Sequence, residues 1–413
     1  MPFGFSRSQK SAGSHQLPLL MVFLICIAFF IMPVMADSGA GENTRTITDM
    51  RGVQVKVPKE INRVVIIDDG FVEGLLYRFG KQDLVVGVGG DSVKKVFEYN
   101  FTTRDGEFYE YTNGMNTVRY LFPEADDLPL VTDGKTGINY ELLASLEPDL
   151  VIVRAGAYAF RAGSEEALDK ALGTISSLGI PVFVLYGPTY QDNASVDRIA
   201  DEIKLIGEIF DEQASANELA DYLDGIITDI KTRTAGVPDA EKPRVMEFGL
   251  SSTARGEGGA GMAWGLDTIE THFIEDIANA KSPFTGTGAF VVISAEQMLA
   301  LDPDVIILPT AQGYHPAKEI YTAPYYQNLQ ELTAVKNKRV FPLPWTPYNW
   351  AKRLEYPIEA MIIAKASYPD KFTDIRVADW VLNFYKKVYK VDDKTAKELR
   401  SVQWLDWVEE ENF

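Results

Sequence analysis

The chain has 413 residues, 46% of them hydrophobic, enough to bury a large core and to make two or more domains. Its 40 Lys and Arg against 59 Asp and Glu leave a net charge of −19, which disfavours nucleic acid or an anionic membrane surface as the main partner, since both need a basic face. The single cysteine, Cys26, lies in an apolar N-terminal run, so disulfides, thiolate metal sites and cysteine nucleophiles drop out of a mature chain.

Residues 1–36 read as an export signal. Arg7 and Lys10 make a positive start, 17–32 are nearly all apolar, and Val34-Met35-Ala36 is a small-x-small cleavage site. An uncleaved anchor helix is the alternative; Pro18 and Pro33 shorten the apolar run and favour cleavage. Phe23, Leu24 and Ile25 are too large for lipoprotein processing at Cys26. Residues 37–60 form a polar linker and a short hairpin, ITDMRGVQVKVP, that turns at Arg51-Gly52.

A first lobe is expected over 61–194. It opens with a buried-type strand, RVVII (63–67), passes through Asp68-Asp69-Gly70 into a helix, and reaches a second strand over 84–88. Residues 94–135 form an aromatic-rich insertion with turns at Asp105-Gly106 and Asn113-Gly114. A loop this long is either a ligand-facing flap or an inert insertion.

After the insertion comes one half of an internal repeat. NYELLASLEPDLVIV (139–153) aligns without a gap to SAEQMLALDPDVIIL (294–308), pairing Glu141 with Glu296, Pro148 with Pro303 and Asp149 with Asp304. Each copy reads as a short helix, a Pro-Asp corner and a buried strand, the pattern of an α/β layer with a mostly parallel sheet. Further strands correspond, 180–185 with 339–343, and Arg63-Val64 with Arg244-Val245. Three elements in one order imply two similar lobes.

Between the copies, 195–236 read as connecting helices. In the longest, 211–235, Ala216, Leu219, Ala220, Leu223, Ile226, Ile227 and Ile230 share one face, with Asp211 as N-cap and Gly236 and Pro238 as the stop. At 1.5 Å per residue it would run roughly 35 Å. The second lobe and closing helices fill 237–413.

Loops at the carboxyl ends of strands line the cleft in such lobes. Here they are 68–71, 154–161, 186–190, 249–264, 283–290, 309–316 and 344–353. They supply arginines and aromatic rings, which suit a large, flat or anionic ligand. The glycine-rich 256–265 lacks the GK[ST] ending and GxGxxG spacing of a phosphate loop. Only His272 and His315 remain beyond the signal, so no metal centre is expected, and no nucleophile-base-orienter set is visible.

Taken together, the signal, the ITDxRGxxVxVP start, ELLxxLEPDLVIV, one long helix and SAEQxLxLDPDVIILP resemble the iron-chelate and cobalamin substrate-binding proteins of ABC importers. Archaeal members with an aromatic-rich insertion and a PWTP…RLEYP segment are the nearest in pattern. The resemblance implies two similar α/β lobes with mostly parallel sheets, joined by one rigid helix, with ligand in the cleft and neither cofactor nor catalysis. It implies one permease-docking carboxylate per lobe, falling on Glu141 and Glu296, and a cleft aromatic after the last strand, matched by Trp345 or Trp350.

The expected ligand contacts are Arg154, Tyr158, Arg255, Trp264, Tyr314, His315, Trp345, Trp350 and Arg353. The expected function is capture of a ferric siderophore or similar metal chelate, arginines facing its anionic oxygens, by an extracytoplasmic monomer that delivers it to the permease. Contact with the membrane would come through the transporter or an uncleaved anchor. A corrinoid or haem is the alternative ligand; an extracytoplasmic enzyme or a surface sensor is the reading from another class. A rigid connecting helix further implies small lobe rotations on binding.

Overall fold

The two copies of the repeat fold alike, and their side chains show why the motif recurs. In the first, Asn139 caps the helix Tyr140–Ser145 by accepting from the Leu142 N–H at 3.0 Å. In the second, Ser294 and Gln297 form a capping box on Ala295–Leu301. The Asp of each Pro-Asp corner then accepts from backbone N–H groups entering the neighbouring strand: Asp149 from Asn62 and Arg63 at 2.7 and 2.9 Å, Asp304 from Arg244 at 2.8 Å. The same arginines reach back to the ends of the helices, Arg63 to the Leu146 carbonyl and Arg244 to that of Leu301, satisfying acceptors that a helix end leaves open. One corner thus pins a helix and two strands.

The computed structural model describes residues 43–413 except 135–136, 162, 191–193, 311–312 and 349–350. The expected signal lies outside them. Strands β1 (Thr44–Thr48) and β2 (Gln54–Pro58) form an antiparallel hairpin. There follow β3 (Val64–Ile67) and β4 (Val85–Val88), the insertion hairpin β5 (Phe97–Thr102) and β6 (Phe108–Gly114), then β7 (Leu150–Ala155) and β8 (Val182–Tyr186). The order β4-β3-β7-β8 makes a parallel sheet. Every residue of β3 and β7 is buried, as expected of parallel strands covered on both faces.

In the second lobe β9 (Val245–Gly249), β10 (Gly261–Ala263), β11 (Val291–Ile293), β12 (Val305–Leu308) and β13 (Val340–Pro342) assemble in the order β11-β10-β9-β12-β13. Strands β9, β12 and β13 are parallel; β10 and β11 run antiparallel. The glycine-rich stretch is therefore partly a strand rather than a loop. A Cβ on Gly261 would come within 2.6 Å of the Gly249 carbonyl and the Phe248 ring, so close packing on β9 requires glycine there.

The long helix spans Gln213–Thr234, 22 residues, about 33 Å. Its buried face carries all seven apolar residues expected of it, with Thr234. Its start differs from expectation. Asp211 adopts a left-handed φ of 57° and pairs with Arg45, so the helix begins after Glu212 with no side-chain cap. It packs against the preceding helix Ile199–Ile209 and against Tyr356–Ser367. Among the described residues no helix is long and apolar enough to cross a membrane.

The insertion hairpin β5–β6 reaches the second lobe. Phe101 joins the apolar cluster of Met246 and Phe248, the Arg104 N–H donates to the Thr322 carbonyl at 2.9 Å, and Trp404 Nε1 donates to the Thr112 carbonyl at 3.0 Å. Tyr99 donates to Glu319 at 2.7 Å and meets His315 Nδ1 at 2.9 Å. The insertion is thus a second tie between the lobes, beside the helix.

Candidate functional site

A cavity of about 620 Å³ opens at the carboxyl ends of β7, β12 and β13, a size that takes a small organic ligand or chelate. Five of the seven expected loops contribute side chains to it, and 68–71 and 186–190 do not. The insertion adds Phe97, Glu98 and Tyr99.

Aromatic rings make most of the wall. Tyr158 lies 4.7 Å from Tyr348, ring centre to ring centre, with the Arg161 guanidinium over Tyr158 at 4.4 Å. Trp264 meets Phe290 edge-on at 5.5 Å; Trp345 stacks on Trp404 at 5.1 Å and takes the edge of Phe97 at 5.0 Å. Trp345 Nε1 is buried without a hydrogen-bond partner. Tyr314 is also on the wall, its hydroxyl donating to the Trp404 carbonyl at 2.9 Å. Three wall residues, Phe290, Tyr348 and Lys352, hold left-handed φ angles of 60°, 55° and 54°. Such strain in non-glycine residues persists only where surrounding contacts over-determine it, and it gathers at ligand clamps.

Tyr158, Trp264, Tyr314 and Trp345 therefore share one cavity, and the other expected contacts among the described residues lie elsewhere. Arg154 is buried behind the wall, bidentate to Glu202 at 2.6 and 2.8 Å and donating to the Lys352 carbonyl at 2.7 Å. Arg255 donates to the Tyr326 hydroxyl and lies over Tyr325 at 4.1 Å. Arg353 donates to the Pro347 carbonyl, and its stem packs 3.1 Å from where a Cβ on Gly70 would be. His315 is held between Tyr99 and Glu319. Trp350 lies outside the described residues. The expectation that Arg154, Arg255 and Arg353 face anionic ligand oxygens is not met by this arrangement. A buried cation needs a close partner, and Arg154 has found its own in Glu202, whereas Arg353 keeps Nε and Nη1 buried without one; among the described residues Arg161 is the arginine on the wall.

Instead, the polar end of the cavity is acidic. Lys352 Nζ donates to Glu359 at 2.7 Å, the two side chains 5% and 4% exposed. Glu247 and Glu270 flank them on the wall. Glu247 is 4% exposed and its Oε2 has no hydrogen-bond partner. Burial, then the charge of Glu270, pushes the Glu247 carboxyl well above the usual carboxylate range; burial also raises Glu270. Burial opposes the charge on Lys352, but Glu359, Glu270 and Glu247 outweigh it and hold the ammonium above its ordinary pKa. Sequence reasoning missed these four residues. The signal was present in two of them: Glu247 interrupts an apolar strand, VMEFG, and Glu359 an apolar helix, YPIEAMIIA. Among the described residues no group of three or more His, Cys, Asp or Glu is placed to hold a metal ion.

Glu141 and Glu296 are exposed and occupy the same place in their lobes, the second position of the helix before the Pro-Asp corner. Among the described residues neither is in an ion pair. Hydrogen bonds from its own backbone and from Ser294 lower the Glu296 pKa.

Residues 75–346 match the family model of the periplasmic binding proteins. The chain belongs to that family. Of this family's relatives, the molybdate-binding protein MolA of Haemophilus influenzae is 26% identical over 372 residues, 85% of this chain and 92% of the relative. A periplasmic solute binding protein from Veillonella parvula superposes with a TM-score of 0.68 at 21% identity, covering 90% of this chain and 100% of that one. Helicobacter pylori CeuE, solved as a nickel–histidine complex, gives 0.59 at 17% identity over 86% and 98% of the two chains. This periplasmic binding protein is an ABC-transporter substrate-binding protein, and its relatives bind substrates rather than transform them. Two similar α/β lobes with mostly parallel sheets and a helical backbone are the fold of the family.

Proposed function

We propose that the chain captures a metal chelate, a ferric siderophore or a relative of one, in the aromatic cavity and hands it to an ABC permease that docks on Glu141 and Glu296. Export by residues 1–36 would put the protein outside the cytoplasm, acting as a monomer. The observation that carries the ligand class is the wall itself: several rings around about 620 Å³, with Lys352 paired and three carboxylates beside it. MolA binds molybdate, but a bare oxyanion needs convergent free donors, and Lys352 at this end is already paired with Glu359. An organic chelate offers rings and apolar edges to the wall while its ligands shield the metal.

Two measurements test this. Tryptophan fluorescence and thermal shift with ferric trihydroxamates, ferric tricatecholates, haem, a corrinoid and molybdate should show a chelate binding at micromolar concentration or below, because a ligand of the folded state raises its stability by mass action. A response to molybdate alone would overturn the ligand class. For docking, Glu141→Lys together with Glu296→Lys should abolish uptake in cells and leave ligand affinity unchanged; uptake at the unmodified rate removes these residues from the interface.

A further inference from the structure

The polar end of the cavity holds more carboxyl groups than its own cation can pair. Lys352 pairs with Glu359, and its ammonium lies 4.9 Å from the Phe273 ring centre. The groups facing Glu247 are Glu270 from the helix Ile269–His272, Lys352 from the loop after β13, and Glu359 from the helix Tyr356–Ser367. One cation therefore faces three carboxylates. Glu247 Oε2, on a side chain only 4% exposed, has no hydrogen-bond partner and lies on the cavity wall. An acceptor left unpaired in a buried site costs free energy that a ligand donor can recover.

We propose that this end of the cavity receives a protonated amine carried by the ligand, seated on Glu247 with Glu270 beside it. Charge separates this occupant from a neutral donor: an ammonium stabilises the ionised carboxylates, whereas a hydroxyl satisfies one oxygen and compensates no charge. The inference rests on the reading of the cavity as the ligand site, and it narrows the chelates to those bearing a free amine. It also carries a proton. With burial holding Glu247 and Glu270 high, the empty site keeps a proton that the arriving ammonium displaces, so affinity falls as pH falls.

The test is isothermal titration of the full chain with 2-phenylethylammonium and its neutral isostere 2-phenylethanol, alongside a ferric trihydroxamate with a free pendant amine and the same chelate N-acetylated. Each cationic member should bind about tenfold or more tightly than its neutral partner near pH 8. The preference should shrink towards pH 5, and titration in buffers of different ionisation enthalpy should report proton release. Glu247→Gln should erase the preference with its melting temperature intact; if that variant does not fold, Glu270→Gln serves. Equal affinity for ammonium and alcohol, or a preference that survives in Glu247→Gln, overturns the amine site. If the ammonium binds and no chelate does, the chelate reading fails while the amine site stands. If chelates bind equally well with the amine free or acetylated, the amine site fails while the chelate reading stands.

Discussion

Arg154 and Lys352, with side chains 1% and 5% exposed, are both nearly buried cations of the cleft, and they use their charge differently. In the first lobe each nitrogen of the Arg154 fork donates: two bonds to Glu202 and one to the Lys352 carbonyl, with Asp68 at 3.8 Å and the Phe71 ring at 3.9 Å. Lys352 satisfies one carboxylate and leaves Glu247 with an open oxygen. The planar guanidinium can lock a frame through several fixed bonds, whereas an ammonium is a compact point charge. The clusters are joined, since Arg154 holds the carbonyl of the strained residue whose ammonium faces the cavity. The first lobe thus builds the support, and the second presents the chemistry.

The largest effect should come from breaking that support. Arg154→Met leaves Glu202 buried without its partner beside Asp68 and Asp69, and should lower unfolding free energy by about 3–5 kcal/mol in urea titration. A loss below about 1 kcal/mol would mean the network relaxes around water and the contrast between the clusters is wrong.

Next comes pH. Burial, then the neighbouring Asp68, raises Asp69 from 3.8 to about 7, although the Tyr158 N–H bonds its carboxylate at 2.6 Å. A folded-state pKa above the unfolded one means the native protein keeps a proton that the unfolded chain releases. The stability this gives is fully present below about pH 4 and is lost as pH rises through 7. Asp69→Asn should therefore match the parent near pH 4 and exceed it by up to ~4 kcal/mol at pH 8. Parallel pH profiles for the two proteins would place Asp69 in water.

Lys352→Met should cost less than Arg154→Met, about 2 kcal/mol, because Glu359 lines the cavity whereas Glu202 is packed behind it. Equal losses in the two variants would erase the distinction between frame and site.

The frame was the more legible half in the sequence, and the reason is periodicity. The gapless repeat, the apolar stripe from Ala216 to Ile230 and the buried strands are local patterns imposed by covered faces, and each is found where expected. Strands at the end of such a repeat also announce which loops face the cleft, so Tyr158, Trp264, Tyr314 and Trp345 were within reach. Side-chain partners across lobes were not. Nothing near Arg154 in the chain announces Glu202 or the Lys352 carbonyl, 48 and 198 residues away, so an arginine in a cleft loop read as a ligand contact. The helix start was misplaced for a similar reason: Arg45, distant in sequence, draws Asp211 out of the capping position.

The smallest effect concerns the hairpin tie. Tyr99 donates to a fully buried Glu319, which also accepts from Tyr325 at 2.8 Å. Tyr99→Phe removes one of these bonds but keeps the ring against Tyr314 and His315, so the net loss should be about 1 kcal/mol. Because β5–β6 meets the second lobe through a limited set of contacts, the loss should appear there first, as faster amide exchange over 97–114, while the sheets keep their protection. The connecting helix and this hairpin both tie the lobes, and ligand binding should accordingly rotate them little. If Tyr99→Phe speeds exchange in β3 and β7 as much as in the hairpin, the insertion is part of the cooperative core and not a separable strap. If it speeds neither, the bond to Glu319 carries no share of the tie, and Phe101 in the second-lobe core is what holds the hairpin down.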